Sequence, residues 1–600
     1  MRLLPILLLG CAEDIETPDA PPSFEPVAAS LGSLSEEAIA LAPAWLRDDL
    51  ALSLAQVSEA RRDELAALIV DLDEPWLTDE VAFTVAHISP EVLDDPDFHP
   101  ELLLDNAQWV YRVDPELSYV DIVDVGEPGT DDDYYSTTTY RFEVDGQVVE
   151  KTIDREMYYW YVVHPRIEDE RPYYINAWFD CSRSSLECPQ SPDNGMFWRE
   201  FLWEGAAATC PSDGFCPVLR DVLPDVEHAW NGASGSGAEG AIGDVVRYML
   251  SRDVDDARWL TFGAYGERSI QPNRIYGLGR GNCGEWADMT TAISRTALLP
   301  NLNVAPSSWD HTWNAFWDDA WIAWEPVNFW VDHAYGITYS AFATRGDASI
   351  FLQTADYTEA VFDMQVQVTD SAGAPLDGAT VAVFSPFEQD GQQYWWPAGE
   401  LITDPDGVAV FTLGSEAQYT LRVESSVGNY PPEDNRITWA SDGVATGETD
   451  TQSFSVDALR APPAPEATLV DASGPATLSV AGLADEGRLL GTSWRYGETA
   501  AVETWGPDVD LYVMDADNYA LFAAGEPFEA VAAGEGEVDV DPKAAWVVVV
   551  ANQRVSATAA YGTLSATVTP GGNASFVDSA SAELRYRLLP GQHAALRMTP

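Results

Sequence analysis

Three side chains near the middle of the chain are of the types that carry out acyl transfer. Cys283 stands in "GRGNCGEWADMTTAI" (residues 279–293), where glycines bracket a turn that runs into an amphipathic stretch. Trp286, Met289, Ile293 and Ala297 recur at helical spacing, which predicts a helix from Cys283 to near Leu299, stopped by Pro300. Cys283 then lies on the first turn, where unpaired amides and the positive end of the helix dipole favour a thiolate. The bland alternative is a small buried cysteine.

The second segment, "SSWDHTWNAFWDDAWIAWEPVNFWVDH" (residues 307–333), alternates on both sides of Asp318-Asp319-Ala320 and predicts a hairpin with His311 on its first strand. With a three-residue loop, Trp317 faces Trp321, Trp313 faces Glu325, and His311 points to the same side as Glu325, offset by two residues. A two-residue loop moves Glu325 to the opposite face and dissolves the constellation. The tryptophans at 309, 313, 317, 321, 324 and 330 either line a dry groove or simply pack.

These residues resemble the transglutaminase-like superfamily, with its papain-like Cys-His-Asp core. "GRGNCGEWADMTTAISRTALLPNLNV" matches the family's glycine-cysteine turn and following helix, and "DHTWNAFWDDAWIAWEP" matches its histidine segment. The resemblance covers residues 240 to 345 and puts Cys283 at the nucleophile and His311 at the general acid-base position. Glu325 stands where the family usually has an aspartate before proline, with Asn328 or Asp332 as alternative partners. The implied chemistry is attack of the Cys283 thiolate on a carboxamide or peptide carbonyl. His311 holds the ion pair and protonates the departing amine, Glu325 fixes the imidazole, and the Cys283 amide donates to the oxyanion. The thioester then passes to water or to an amine. No cofactor is required.

Around this core the chain is long and acidic. Its 600 residues suffice for three to five domains at roughly 100 to 200 residues each. The balance of 31 Lys and Arg against 98 Asp and Glu, net −67, argues against nucleic acid and anionic membrane surfaces as partners. The opening "MRLLPILLLGC" resembles a bacterial lipoprotein signal, which implies lipidation at Cys11. Ala12 in the next position implies the outer membrane rather than retention at the inner one. The apolar run is far shorter than the ~20 residues of a spanning helix.

Cysteine usage agrees with export. Cys181, Cys188, Cys210 and Cys216 cluster in loops rich in Ser, Pro, Gly and Asp, as expected of two disulfides with three pairings open. Their C-x6-C and C-x5-C gaps are wide for zinc. Cys283 is left alone. His87, His99, His164, His228 and His593 lack ligand spacing, and His333 lies close to the motif but outside it.

The expected fold is multidomain α+β: a transglutaminase-like (papain-like) α+β core with an α/β amino-terminal region and two carboxy-terminal β-sandwiches. Its parts are a signal over 1–11, a Pro- and acid-rich tether over 12–30, and a mixed α/β region with disulfide-stapled loops over 31–235. The catalytic domain follows at 236–360, then a sandwich at 361–460, a Pro-rich linker at 461–467 and a second sandwich at 468–600. In 31–235, residues 34–73 have helical periodicity, with Ser35 as cap and Glu37 and Asp48-Asp49 outside the apolar face. Residues 140–163 alternate around an Asp145-Gly146 hairpin turn. The first sandwich resembles the carboxypeptidase regulatory-like, prealbumin-type module. The second is similar to the pre-peptidase carboxy-terminal sandwich, and its Asp508, Asp510, Asp515 and Asp517 are either calcium ligands or solvated strand-edge and turn residues. The expected partner is a protein or peptide substrate at the cell surface, with the membrane met only through the lipid anchor. Cell-wall polysaccharide is a further partner class for the β modules, and an idle fold used for binding is the alternative to an enzyme.

Overall fold

The computed structural model describes residues 19–28, 31, 33–168, 170–176, 195–205, 218–250, 260–263, 271–307, 309–376, 378–389, 391–404, 406–425, 428–431, 441–456, 465–484, 502–503, 509–552, 558–588 and 592–600. The expected lipidation at Cys11, the disulfides of Cys181, Cys188, Cys210 and Cys216, Asp508 and residues 461–464 of the linker lie outside the described residues. The architecture is multidomain, with helices concentrated before residue 300 and β-sheets after it.

The stretch with helical periodicity over 34–73 forms three helices, Ser33–Leu41, Arg47–Gln56 and Glu59–Val70. Pro43 causes the first break, because it lacks an amide proton and restricts the residue before it. At the second break the Ser58 amide and hydroxyl both donate to the Asp94 carboxylate, at 2.8 and 2.7 Å, in place of continuing the helix. Ser35 is buried within the first helix rather than capping it. Asp49, expected at the surface, is buried 3.4 Å from His87 Nε2.

The Asp145-Gly146 turn forms as expected: Val144 pairs with Gln147, and both turn residues have positive φ (52° and 75°), as a type I′ turn requires. Beyond Thr152 the alternation gives way to a helix, Arg155–Tyr158, that runs into a π-turn, Tyr159–Val163. Tyr158 to Val163 are all buried. A strand would turn alternate residues of such a run to opposite faces, whereas helical geometry spreads them around an axis inside the core.

An acid pair lies within this amino-terminal part. Asp79 and Glu80, both almost fully buried, accept hydrogen bonds from Tyr159 and Ser136, and from Tyr158 (3.0 Å) and Tyr111 (3.3 Å), respectively. Burial and the neighbouring Asp79 charge hold Glu80 well above the usual carboxylate range, which favours its neutral form in the folded state. A carboxyl that releases its proton more readily when unfolded weakens the fold as pH rises from about 4 through its folded-state value. Glu80→Gln is therefore expected to raise the melting temperature at alkaline pH and to flatten its decline as pH rises above about 4. Thermal unfolding of both proteins across pH checks this.

A single cluster of buried apolar side chains runs from Ala38 to Ala343, so the stretches on either side of residue 235 share one core. At its centre the helix Cys283–Thr296 is buried on every side from Gly284 to Thr296. It packs on an all-antiparallel six-stranded sheet whose order is Trp330–Val331, Trp321–Glu325, Trp313–Trp317, Asn301–Pro306, Ala341–Thr344 and Ile350–Leu352. Asn314 Nδ2, on the sheet, donates to the Ala287 carbonyl at 3.0 Å and to Thr291 Oγ1 at 2.9 Å, clipping helix to strand. Arg295 fixes the other end by donating to the carbonyls of His164, Arg166 and Asn301.

Two sandwich-like units follow, each with its own apolar core. In the first, strands Val361–Asp370, Val408–Gly414 and Thr449–Val456 face a sheet built on Thr380–Gln389, Gln392–Ile402 and Gln418–Ser425. In the second, Ser23–Ala28 from the expected tether forms an edge strand paired antiparallel with His593–Thr599. Pro26 is compatible with that place because an edge strand needs hydrogen bonds on one side only. Asp510 lies in the strand Asp510–Asp515, and Asp515 caps the helix Ala516–Ala523 by accepting from the Asn518 amide at 2.9 Å. Among the described residues no group of three His, Cys, Asp or Glu is arranged to hold a metal. No helix among them is long and apolar enough to cross a membrane.

Candidate active site

The turn that presents Cys283 depends on close backbone packing. Gly279, at φ +62°, ends the helix Pro272–Leu278 in the left-handed region, where glycine meets no Cβ penalty. Arg280–Gly281 then pairs in parallel with Thr261–Phe262. A Cβ on Gly281 would stand 2.3 Å from that of Glu285, so only glycine lets the next helix start this close. The Glu285 carboxylate reaches back to accept the Asn282 amide at 2.8 Å and closes a capping box. Cys283 follows as the first helical residue, partly exposed and with a free thiol. The helix ends at Thr296, slightly short of the expected Leu299; Leu298, at φ +56°, leaves helical geometry before Pro300.

The hairpin adopts the three-residue loop. Trp317 pairs with Trp321, and Asn314 with Trp324. Asp318 and Asp319 hold the tip against Lys151, the Asp319 contact being 2.8 Å. His311 lies two residues before the strand Trp313–Trp317 rather than within it, because its amide turns back to the Trp309 carbonyl at 3.1 Å. The placement still brings His311 Nε2 to 3.4 Å from Glu325 Oε2, across the diagonal the register requires.

Cys283 and Glu325 are the two groups that favour the charged form of the His311 imidazole, and Nε2 is the nitrogen turned to Glu325. Burial alone would lower the imidazole's affinity for a proton, but the Cys283 and Glu325 contacts outweigh it and raise His311 to about 9. Glu325 is buried, which favours its neutral form, yet hydrogen bonds from His311, Tyr335 and Asn328 hold it below the usual carboxylate range. Tyr335 OH donates to Oε2 at 2.6 Å and Asn328 Nδ2 to Oε1 at 2.6 Å. The cationic imidazole and anionic carboxylate form an oriented pair, and the charge of the partly exposed Cys283 acts on the same imidazole.

Asn328 thus supports Glu325 instead of replacing it. Asp332 accepts from Ser234 at 3.1 Å, away from the imidazole. His333 stacks on Trp330 with ring centres 4.4 Å apart. Of the six tryptophans, Trp313 and Trp324 are buried, Trp317 and Trp321 meet edge to face at 5.3 Å, and Trp309 and Trp330 are exposed at the rim. The remaining histidines have structural contacts: His87 with Asp49, His99 with Glu101, His164 with the His87 carbonyl, His228 with Glu143 and His593 with Tyr519. Tyr335 and Asn314 are the site-supporting residues that sequence reasoning missed. Asn314 had a signal, as a lone amide among apolar strand neighbours.

No protein-family model matches the chain, and no curated protein matches it. Among solved structures, the Bacillus anthracis TIE protein is 12% identical, covers 49% of this chain and 42% of its own, and has a TM-score of 0.13. A leucine-rich repeat protein from Bacteroides thetaiotaomicron VPI-5482 is 14% identical, covers 39% of this chain and 24% of its own, and has a TM-score of 0.10. The chain therefore spans less than half the length of either.

Proposed function

We propose that this chain is an exported, lipid-anchored cysteine acyl-transfer enzyme with a transglutaminase-like core, acting on a protein or peptide carboxamide at the cell surface. The observation that carries the proposal is His311, which lies 3.4 Å from a buried Glu325 and whose charged form both Glu325 and Cys283 favour. Nucleophile, acid-base and orienting carboxylate are the three roles that covalent acyl transfer needs. The Cys283 sulfur attacks the carbonyl carbon, and the developing oxyanion is met by the Cys283 amide at the helix start. As the C–N bond breaks, His311 delivers its proton to the departing amine or ammonia. A thioester on Cys283 remains. Neutral His311 then takes a proton from water or an acceptor amine, whose attack expels the Cys283 thiolate and restores the ion pair. The lipobox-like "LLGC" before Ala12 supports attachment to the envelope, and the two sandwiches suit a spacing or attachment role.

The rival reading is an idle fold used for surface binding. The long 3.4 Å His311 contact, against 2.6 Å from Tyr335 to the same oxygen, is the observation in its favour. Incubation with glutamine-containing peptides, acid quenching and intact-protein mass spectrometry decides between them. The expected result is an acyl adduct on Cys283 that added amine or longer incubation discharges. Absence of an adduct across the peptide panel would favour the idle fold.

A further inference from the structure

The position that departs from the family pattern is also the most heavily supported one in the site. Glu325 ends its strand, pairs through its backbone with Trp330 and is followed by Pro326, so its Cα is fixed. Its carboxylate receives three donors: Asn328 on Oε1, and both Tyr335 and His311 on Oε2. Tyr335 is itself immobilised. Its ring stacks on Trp313 with centres 3.9 Å apart and 16° between planes, and His333 meets it edge-on at 4.8 Å. Trp313 is held in turn by donating from Nε1 to Tyr357 OH at 3.1 Å.

We propose that Tyr335 is a positioning residue: with Asn328 it forms a cradle built for a glutamate, which is why glutamate rather than aspartate orients His311 in this chain. The proposal rests on the catalytic reading of the Cys283–His311 pair. Geometry explains the preference. Removing one methylene from residue 325 draws the carboxylate back by about 1.5 Å, the length of a C–C bond. From 3.4 Å that takes it beyond hydrogen-bond range of His311, and the fixed backbone cannot follow. Substitution toward the family's usual residue is thus expected to impair the site. Tyr335 acts through Glu325: its hydroxyl keeps Oε2 directed at the imidazole and stabilises the ionised carboxylate, while its ring maintains the aromatic packing behind it. Tyr335→Phe isolates the hydroxyl, because the stack on Trp313 is retained.

The test is an NMR titration of the His311 imidazole and the Glu325 carboxyl carbon in the full chain, alongside kcat/KM against pH. Glu325→Asp is expected to move the His311 titration from about 9 down toward the ordinary value near 6.5 and to lower kcat/KM at least ten-fold. Tyr335→Phe is expected to raise the Glu325 titration and to shift the acid limb of kcat/KM upward with it. A structural role for Tyr335 alone would lower stability without moving either titration. Unchanged titrations in both variants, with Cys283 still forming an acyl adduct, overturn the cradle and leave the catalytic reading standing. Shifted titrations without any adduct overturn the catalytic reading and leave the cradle standing.

Discussion

Cys283→Ala is expected to lower turnover by roughly 10⁴-fold or more while leaving the melting temperature nearly unchanged. The loss is large because the thioester forms on this sulfur, and the carboxylates described beside it are otherwise engaged. Glu285, the nearest carboxylate in sequence, is engaged with the Asn282 amide, and Glu325 is enclosed by its donors. Stability should hold because Cys283 is partly exposed at a helix start whose capping box uses Asn282 and Glu285. Cys283→Ser should be almost as inactive, since a hydroxyl does not form the ion pair with His311 that a thiol does. Steady-state kinetics on a peptide that acylates the wild-type protein, with thermal unfolding of the same samples, checks both parts. A Cys283→Ala variant that retains a tenth of the activity would exclude covalent catalysis at this residue.

The second large effect is expected at His311. In the wild-type protein the raised imidazole value means that the proton is retained up to about pH 9 and lost above it. kcat/KM should accordingly fall on the alkaline side near pH 9, as the group that protonates the leaving amine empties. His311→Ala is expected to reduce kcat/KM at neutral pH by about 10³-fold and to abolish that limb. Both outcomes follow from His311 being the shared partner of thiol and carboxylate. A profile that keeps its alkaline limb in His311→Ala would assign the limb to another group.

Sequence and structure agree where the signals are local. The hairpin was legible because Asp318-Asp319-Ala320 interrupts two alternating strands, and the structure selects the three-residue loop, whose register brings His311 and Glu325 together. The helix start at Cys283 was legible because Gly279 and Gly281 stand where a side chain would be strained or would collide with Glu285. Tyr335 gave no such signal. It lies in an irregular segment after Val331, where no periodicity says which way a side chain points, and only the folded aromatic cluster brings it to Glu325.

The strand Ser23–Ala28 was missed for another reason. Its partner, His593–Thr599, lies at the other end of the sequence, and a composition rich in proline and acid reads locally as linker. The all-round burial of the Cys283 helix also exceeded expectation. Thr290 and Thr291 look like a polar face in sequence, yet Thr290 Oγ1 donates to the Trp286 carbonyl and Thr291 Oγ1 to Asn301 and Asn303 inside the core. Hydrogen bonds within the core let small hydroxyl residues sit where helical patterning alone would place solvent.

The pH dependence of iodoacetamide alkylation at Cys283, compared between the folded wild-type protein and His311→Ala, tests the Cys283–His311 ion pair without needing a substrate. An ordinary thiol alkylates with a midpoint near 8.5. The expected result is rapid labelling in the wild type at pH 7 that falls by about ten-fold or more when His311 is removed. Slow labelling with an ordinary midpoint in both proteins would contradict an activated pair and leave the fold as a binding scaffold.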